Sequence, residues 1–131
     1  ASAGVHEAGS WLTLLFETYR PDVFVLERAN GQRSGLFARL DNLIHQFRAL
    51  ADRKGISSFA YPPQTVRKEL VGDGWASKDV VAHAIAQRIP ALRIYLRQDR
   101  RWKERYWQNM FDAVALAIHH QRSQHPPSRG R

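Results

Sequence analysis

"PDVFVLERANG", residues 21–31, runs four consecutive apolar side chains, Val23 to Leu26, into a glutamate and an arginine before reaching a turn. A run this short, partly β-branched and without polar interruption, predicts a strand covered by helices on both faces rather than an edge strand. Glu27 then stands at the carboxyl end of a buried strand, the place where ligands sit in open α/β sheets.

Outward from that strand the pattern alternates. Trp11, Leu12, Leu15, Phe16 and Tyr19 recur at helical spacing and stop before Pro21, which predicts an amphipathic helix of about four turns. "NGQRSG" (30–35) reads as loop. Leu36, Leu40, Leu43, Ile44, Phe47, Leu50 and Ala51 mark one stripe of a long helix, closed by Gly55 as a left-handed cap. "ISSFAY" (56–61) reads as a second strand, after which Pro62 and Pro63 open a short helix ending at Gly72. Ser77 caps a helix carrying Val80, Val81, Ala84, Ile85 and Ile89, which Pro90 ends. A last helix is expected from about Trp107 to His120, followed by a polar tail, residues 123–131, without structure of its own.

Helix, strand, helix, strand, helices is the order of a parallel α/β sheet with crossover helices. Two such apolar strands form only a marginal sheet, so the pattern predicts further strands from upstream of Ala1 or from another chain. The 131 residues, 44% of them hydrophobic, suit one compact domain, expected over residues 1–122.

Twenty Lys and Arg against 12 Asp and Glu leave a net charge of +8, which favours polyanionic partners, nucleic acid first. The absence of cysteine excludes disulfides and thiolate metal sites, and fits a reducing compartment. No apolar run approaches the roughly 20 residues of a membrane span, and no secretory pattern opens the chain. An intracellular, cytoplasmic, nucleoid-associated protein is the expectation.

Two acids stand out. Glu27 ends its strand, and Asp112 lies in "NMFDAVALAIHH" with Phe111, Val114 and Leu116 around it. An aspartate in so apolar a helix is costly unless it is paired or binds a cation. Two carboxylates on separate elements can clamp divalent metals that bridge phosphate oxygens and activate water. The plainer readings are an ion pair of Glu27 with Arg28 and a solvated surface acid at Asp112. His119 and His120, being adjacent, point to different helix faces and are assigned no metal. Gly72 and Gly74 are too few for a phosphate-binding loop.

The stretch "YPPQTVRKELVGDGWASKDVVAHAIAQRI" (61–89) resembles the signature region of the RuvC family, the Holliday-junction resolvases of the RNase H-like fold. There a proline-led basic helix precedes a glycine turn and a lysine. "FVLER" resembles the family's strand ending in a catalytic glutamate, and "NMFDAVALAIHH" its final helix, whose aspartate completes the metal site. The three motifs stand in the family's order across most of residues 11–120. The resemblance implies an α/β, RNase H-like (RuvC-type) mixed sheet flanked by helices, with the family's N-terminal strands missing from this chain. It implies a metal-dependent, structure-selective endonuclease that hydrolyses phosphodiesters in branched DNA, with roles in DNA recombination and repair. Glu27 and Asp112 match metal ligands for Mg²⁺ or Mn²⁺. Asn109, one turn before Asp112, stands where many relatives have an acid, and its amide oxygen is a weaker donor. Lys78 matches the lysine after the glycine turn and Arg67 an earlier basic position, with Lys68 beside it. Such cations hold the scissile phosphate or stabilise its developing charge; their plainer reading is a solvated helix face. A homodimer on four-way junctions is also implied. The family's strand with the first catalytic aspartate has no counterpart here, and its aromatic wedge after the glutamate is replaced by Arg28, Ala29 and Asn30. A catalytically inactive RNase H-like nucleic-acid-binding module is the alternative.

"LRIYLRQDRRWKERYWQ" (92–108) is longer than the family's link into the last helix. Residues 97–131 carry eight basic and three acidic side chains, +5 of the net charge. Arg97, Arg100, Arg101, Lys103 and Arg105 can contact phosphates, while Tyr95, Trp102, Tyr106 and Trp107 either stack on unpaired bases or pack the insert onto the core.

Overall fold

The computed structural model of the chain describes residues 3–28, 35–96 and 104–125. The fold is α/β and helix-rich, and it divides into two compact units, Ala1–Ala60 and Tyr61–Arg131.

The first unit runs α1 (Ala3–Tyr19), β1 (Val23–Glu27), α2 (Gly35–Arg53) and β2 (Ser57–Tyr61). The strands pair side by side in a parallel two-stranded sheet, joined through α2 as a βαβ crossover. α1 ends where Pro21 forbids another turn; Arg20 there takes φ 46°, and its N–H donates to the Phe16 carbonyl at 2.9 Å. α2 ends as expected. Gly55, at φ 74°, lets Ile56 N–H reach the Ala51 carbonyl (2.9 Å) and Gly55 N–H reach that of Asp52 (3.0 Å), the paired bonds of a Schellman cap. Lys54 Nζ meets Glu17 Oε1 at 3.4 Å, while Arg48 donates to the Ser58 hydroxyl (3.1 Å) and carbonyl (3.2 Å).

Leu12, Phe16, Ala51 and Ile56 form the core of this unit, with Phe24, Phe47 and Leu50 against it. The Phe16 and Phe24 rings meet edge to face at 5.1 Å. Two expectations change in detail. β1 is only half-buried at Phe24, Val25 and Leu26, because a sheet of two strands gives it one hydrogen-bonded neighbour among the described residues. On α1 the apolar positions split into two stripes. Leu12 and Phe16 face the core, whereas Trp11, Leu15 and Tyr19, also four residues apart, are exposed.

The second unit is built by α3 (Pro63–Val71), α4 (Lys78–Arg88), a 3₁₀ turn (Pro90–Leu92), the short α5 (Arg93–Leu96) and α6 (Glu104–Gln124). Pro63 opens α3, and Gly72 closes it at φ 81° with its N–H on the Lys68 carbonyl at 2.8 Å. No heavy atom lies within 4 Å of a Cβ placed on Gly72, so the penalty of Gly72→Ala is purely conformational, about 1–2 kcal/mol. It should appear as a lower urea midpoint with an unchanged slope; an unaltered midpoint would mean that α3 does not end there.

Ser77 caps α4, its hydroxyl accepting from Val80 N–H at 3.2 Å. Ile85 is fully buried, at the centre of a core with Val66, Val81, Ala82, Phe111 and Ala115. α6 begins three residues before and ends four residues after the expected Trp107–His120 span. Its extension is anchored. Glu69 on α3 faces buried His119 and also Arg122 (3.4 Å), while Tyr61 packs edge-on against His119 at 4.6 Å and shares a hydrogen bond with His120 Nδ1 at 2.8 Å. The Glu69 contacts tie the last turns of α6 to α3. Residues 126–131 of the expected tail, and most of the expected loop 30–35, lie outside the described residues, as does the Leu36 side chain of the α2 stripe.

Candidate functional site

The Lys78–Asp112 pair is the focus of the second unit, and the packing of α4 on α6 explains why these two residues meet. Phe111, Ala115 and His119, spaced four apart, are the buried stripe of α6. Asp112 lies about 100° around the helix from Phe111, on the flank of that stripe, and keeps 31% of its side chain exposed. Lys78 is the first residue of α4, directly after the Ser77 cap. Its ammonium reaches Asp112 Oδ2 at 3.3 Å, with 53% of the side chain exposed.

This geometry answers why an aspartate is tolerated in so apolar a helix: it is paired. It also accounts for a lysine in the first turn of α4, where the helix dipole disfavours a cation, since the neighbouring carboxylate offsets that penalty. At this exposure the pair contributes no more than about 1 kcal/mol to stability. A carboxylate and an ammonium sit side by side at the surface.

Asn109 is exposed, on the side of Asp112 away from Phe111. Arg67 is half-buried and Lys68 exposed on α3, and neither side chain has an ion-pair or hydrogen-bond partner among the described residues. Glu27 ends β1 exposed and likewise unpaired among the described residues, so the ion pair with Arg28 considered from sequence is not formed there. Arg97, Arg100, Arg101 and Lys103 lie outside the described residues, as does Trp102; Arg105 and Tyr106 belong to α6, with side chains outside the described ones. Tyr95 and Trp107 are placed, and their rings lie 4.4 Å apart at 40°. Both are half-buried, with Tyr95 against the core of the unit. Of the two readings open for these aromatics, packing prevails for this pair.

Carboxylate oxygens are the preferred donors for Mg²⁺ or Mn²⁺, so Glu27 and Asp112 suit such an ion in chemistry. Among the described residues, however, no three His, Cys, Asp or Glu side chains converge. The open groove between α1 and α2, ≈ 470 Å³ and lined by His6, Thr13, Gln46 and Arg53 among others, contains none of the candidate residues and no carboxylate.

Trp75 has no place in any helical or strand pattern, and the structure brings it forward. It projects from the turn between α3 and α4 with 82% of its surface exposed. The signal in the sequence is an indole inside a glycine-rich, polar turn, where apolar burial has no use for it.

The spatial arrangement has a known counterpart. RuvC from Thermus thermophilus superposes with a TM-score of 0.68 at 18% identity, covering 92% of this chain and 69% of the other. The fold is RuvC-like. At that identity the likeness is one of fold, and no family model and no curated protein matches the sequence. The three motifs read from sequence lie on β1, on the α3–turn–α4 segment and on α6. No helix among the described residues is long and apolar enough to cross a membrane.

Proposed function

We propose that this chain is the RNase H-like part of a metal-dependent, structure-selective DNA endonuclease of the Holliday-junction resolvase type, acting intracellularly on four-way or otherwise branched DNA as a homodimer. The Lys78–Asp112 pair within a RuvC-like fold is the observation that carries this reading. Two residues singled out separately, 34 positions apart, lie within 3.3 Å of each other, as a phosphoryl-transfer site requires of a metal-ligating carboxylate and a phosphate-neutralising cation.

In this reading residues 1–122 act as one functional domain. Glu27 and Asp112 are carboxylate ligands for Mg²⁺ or Mn²⁺, with Asn109 as an auxiliary oxygen donor; the ion, when bound, supplies an activated water and charge for the phosphate oxygens. Lys78 and Arg67 do the chain's own electrostatic work. Lys78 holds a fixed positive charge at the head of α4, where it offsets charge developing on a phosphate oxygen, and Arg67 offers a planar, two-pronged contact to the backbone. Lys68 and the cations at 97, 100, 101, 103 and 105 contribute phosphate contacts that strengthen binding without reading sequence.

Labelled four-way junction incubated with the full chain and Mg²⁺ or Mn²⁺ should be nicked, and chelation of the metal should stop the reaction. Lys78→Met should lower the cutting rate by about 10²-fold while changing junction affinity less than tenfold, because a single surface phosphate contact is one among many. Equal losses in both would make Lys78 a binding residue only.

A second reading has support of its own. Asn109 in place of an acid, and the lack of three converging ligands among the described residues, favour a catalytically inactive nucleic-acid-binding module. Tight, salt-dependent junction binding with no nicking under either metal would select it.

A further inference from the structure

We propose that Trp75 is a stacking platform for an unpaired or splayed base of a branched DNA strand. The inference rests on the nucleic-acid reading above and adds a residue that the motif resemblance does not supply.

Three observations point to it. The indole is 82% exposed, the highest value among the exposed large apolar side chains, and nothing in the core needs it. An exposed Trp on a mobile loop would gain little from binding, since ordering it is costly; here the ordering is built in. Gly72 caps α3 at φ 81°, and the Asp73 carboxylate accepts Trp75 N–H at 2.9 Å. Gly74 packs so closely on Gln64 that an added Cβ would lie 3.1 Å from its carbonyl oxygen, Ala76 is buried, and Ser77 begins the cap of α4. The backbone on either side of the indole is therefore held by the two helices.

The third observation is charge. Of the acids on these elements, Glu69 pairs with Arg122 and Asp112 with Lys78, Asp73 spends one carboxylate oxygen on the Trp75 N–H, and Asp79 lies beside His83. Arg67 and Lys68, on the helix leading into the turn, are uncompensated among the described residues. An exposed aromatic face on the turn that follows a helix bearing unpaired cations, on a chain of net charge +8, matches a single strand, whose bases offer π-faces and whose backbone offers phosphates. A protein partner with an apolar pocket would leave those cations unused. Intact duplex hides its base faces, so the platform favours junction centres, gaps and single strands.

The test compares Trp75→Ala and Trp75→Phe with the parent, using the full chain and fluorescence anisotropy on a labelled four-way junction, an oligothymidine single strand and a blunt linear duplex. Trp75→Ala should weaken junction and single-strand binding by roughly 5- to 150-fold, the range for loss of one stacked base. Blunt duplex should change less than twofold, and Trp75→Phe should recover most of the loss. Because the side chain is exposed, both variants should melt with the parent. Parental affinity of Trp75→Ala for all three DNAs, or equal losses on all three, overturns the role of Trp75 and leaves the nuclease reading standing. If the parent binds none of them, that reading falls and this one with it. Loss of binding to anionic phosphatidylserine vesicles, with DNA binding unchanged, would assign the indole to a lipid surface instead.

Discussion

On the proposed nuclease reading, Glu27→Gln should abolish metal-dependent cutting of four-way junctions, by at least about 10²-fold, and leave junction binding within about threefold of the parent. The size follows from what the substitution removes. Gln keeps the shape of Glu and loses the charge, and a hard divalent ion binds carboxylate far better than amide oxygen. Loss of one preorganised charge at a phosphoryl-transfer site costs about 10²–10³ in rate. Glu27 suits this experiment better than Asp112. It is exposed at the end of β1, with no ion pair or hydrogen bond among the described residues, so the variant disturbs no structural contact. Asp112→Asn would also release Lys78 from its 3.3 Å pair and mix two effects. Quantitative nicking of a labelled junction in Mg²⁺ and in Mn²⁺, with anisotropy on the same DNA in Ca²⁺, gives both numbers. A Glu27→Gln protein that cuts like its parent removes Glu27 from the site.

Ile85→Ala destabilises the second unit by about 2–5 kcal/mol, a large share of the roughly 5–15 kcal/mol that holds a small domain together. Ile85 has no exposed surface and is packed by Val66 from α3, Val81 and Ala82 from its own helix, and Phe111 and Ala115 from α6. Removing three carbons leaves a cavity that three helices would have to move together to fill. Ile85→Val, one methylene smaller, should cost only about 0.5–1.5 kcal/mol. Urea unfolding followed by circular dichroism measures both. Lys78 begins the same helix and Asp112 follows Phe111, so both members of the ion pair are carried by helices of this core. Comparable stability of the Ala variant and the parent would show that Ile85 is not the packing centre.

Local punctuation was the most legible part of the fold. Gly55 and Gly72 sit at positive φ at the ends of α2 and α3, Ser77 caps α4, and Pro21 and Pro90 end the helices before them. Each of these outcomes is decided within a few residues by backbone sterics or one short hydrogen bond, so it can be read from neighbours alone. For Asp112 the sequence left two readings open, a solvated acid or one that answers a cation, since an unpaired carboxylate buried among Phe111, Val114 and Leu116 is costly in any fold.

The identity of that partner was not legible. Lys78, Arg67 and Lys68 are all cations on the same stretch of chain, and only the packing of α4 on α6 brings Lys78 to Asp112 and leaves the other two unpaired among the described residues. The same holds for α1, where Trp11, Leu12, Leu15, Phe16 and Tyr19 share one helical pattern yet only Leu12 and Phe16 are buried. Periodicity states that a helix has an apolar face; it does not state how wide a face its neighbours can cover. Sequence alone thus determined where the chain turns and where the helices closed by Pro21, Gly55, Gly72 and Pro90 stop, because those follow from local energetics. Tertiary structure decided which cation answered Asp112, which apolar stripes were buried and that Trp75 stood in solvent, because those depend on distances set by residues tens of positions away.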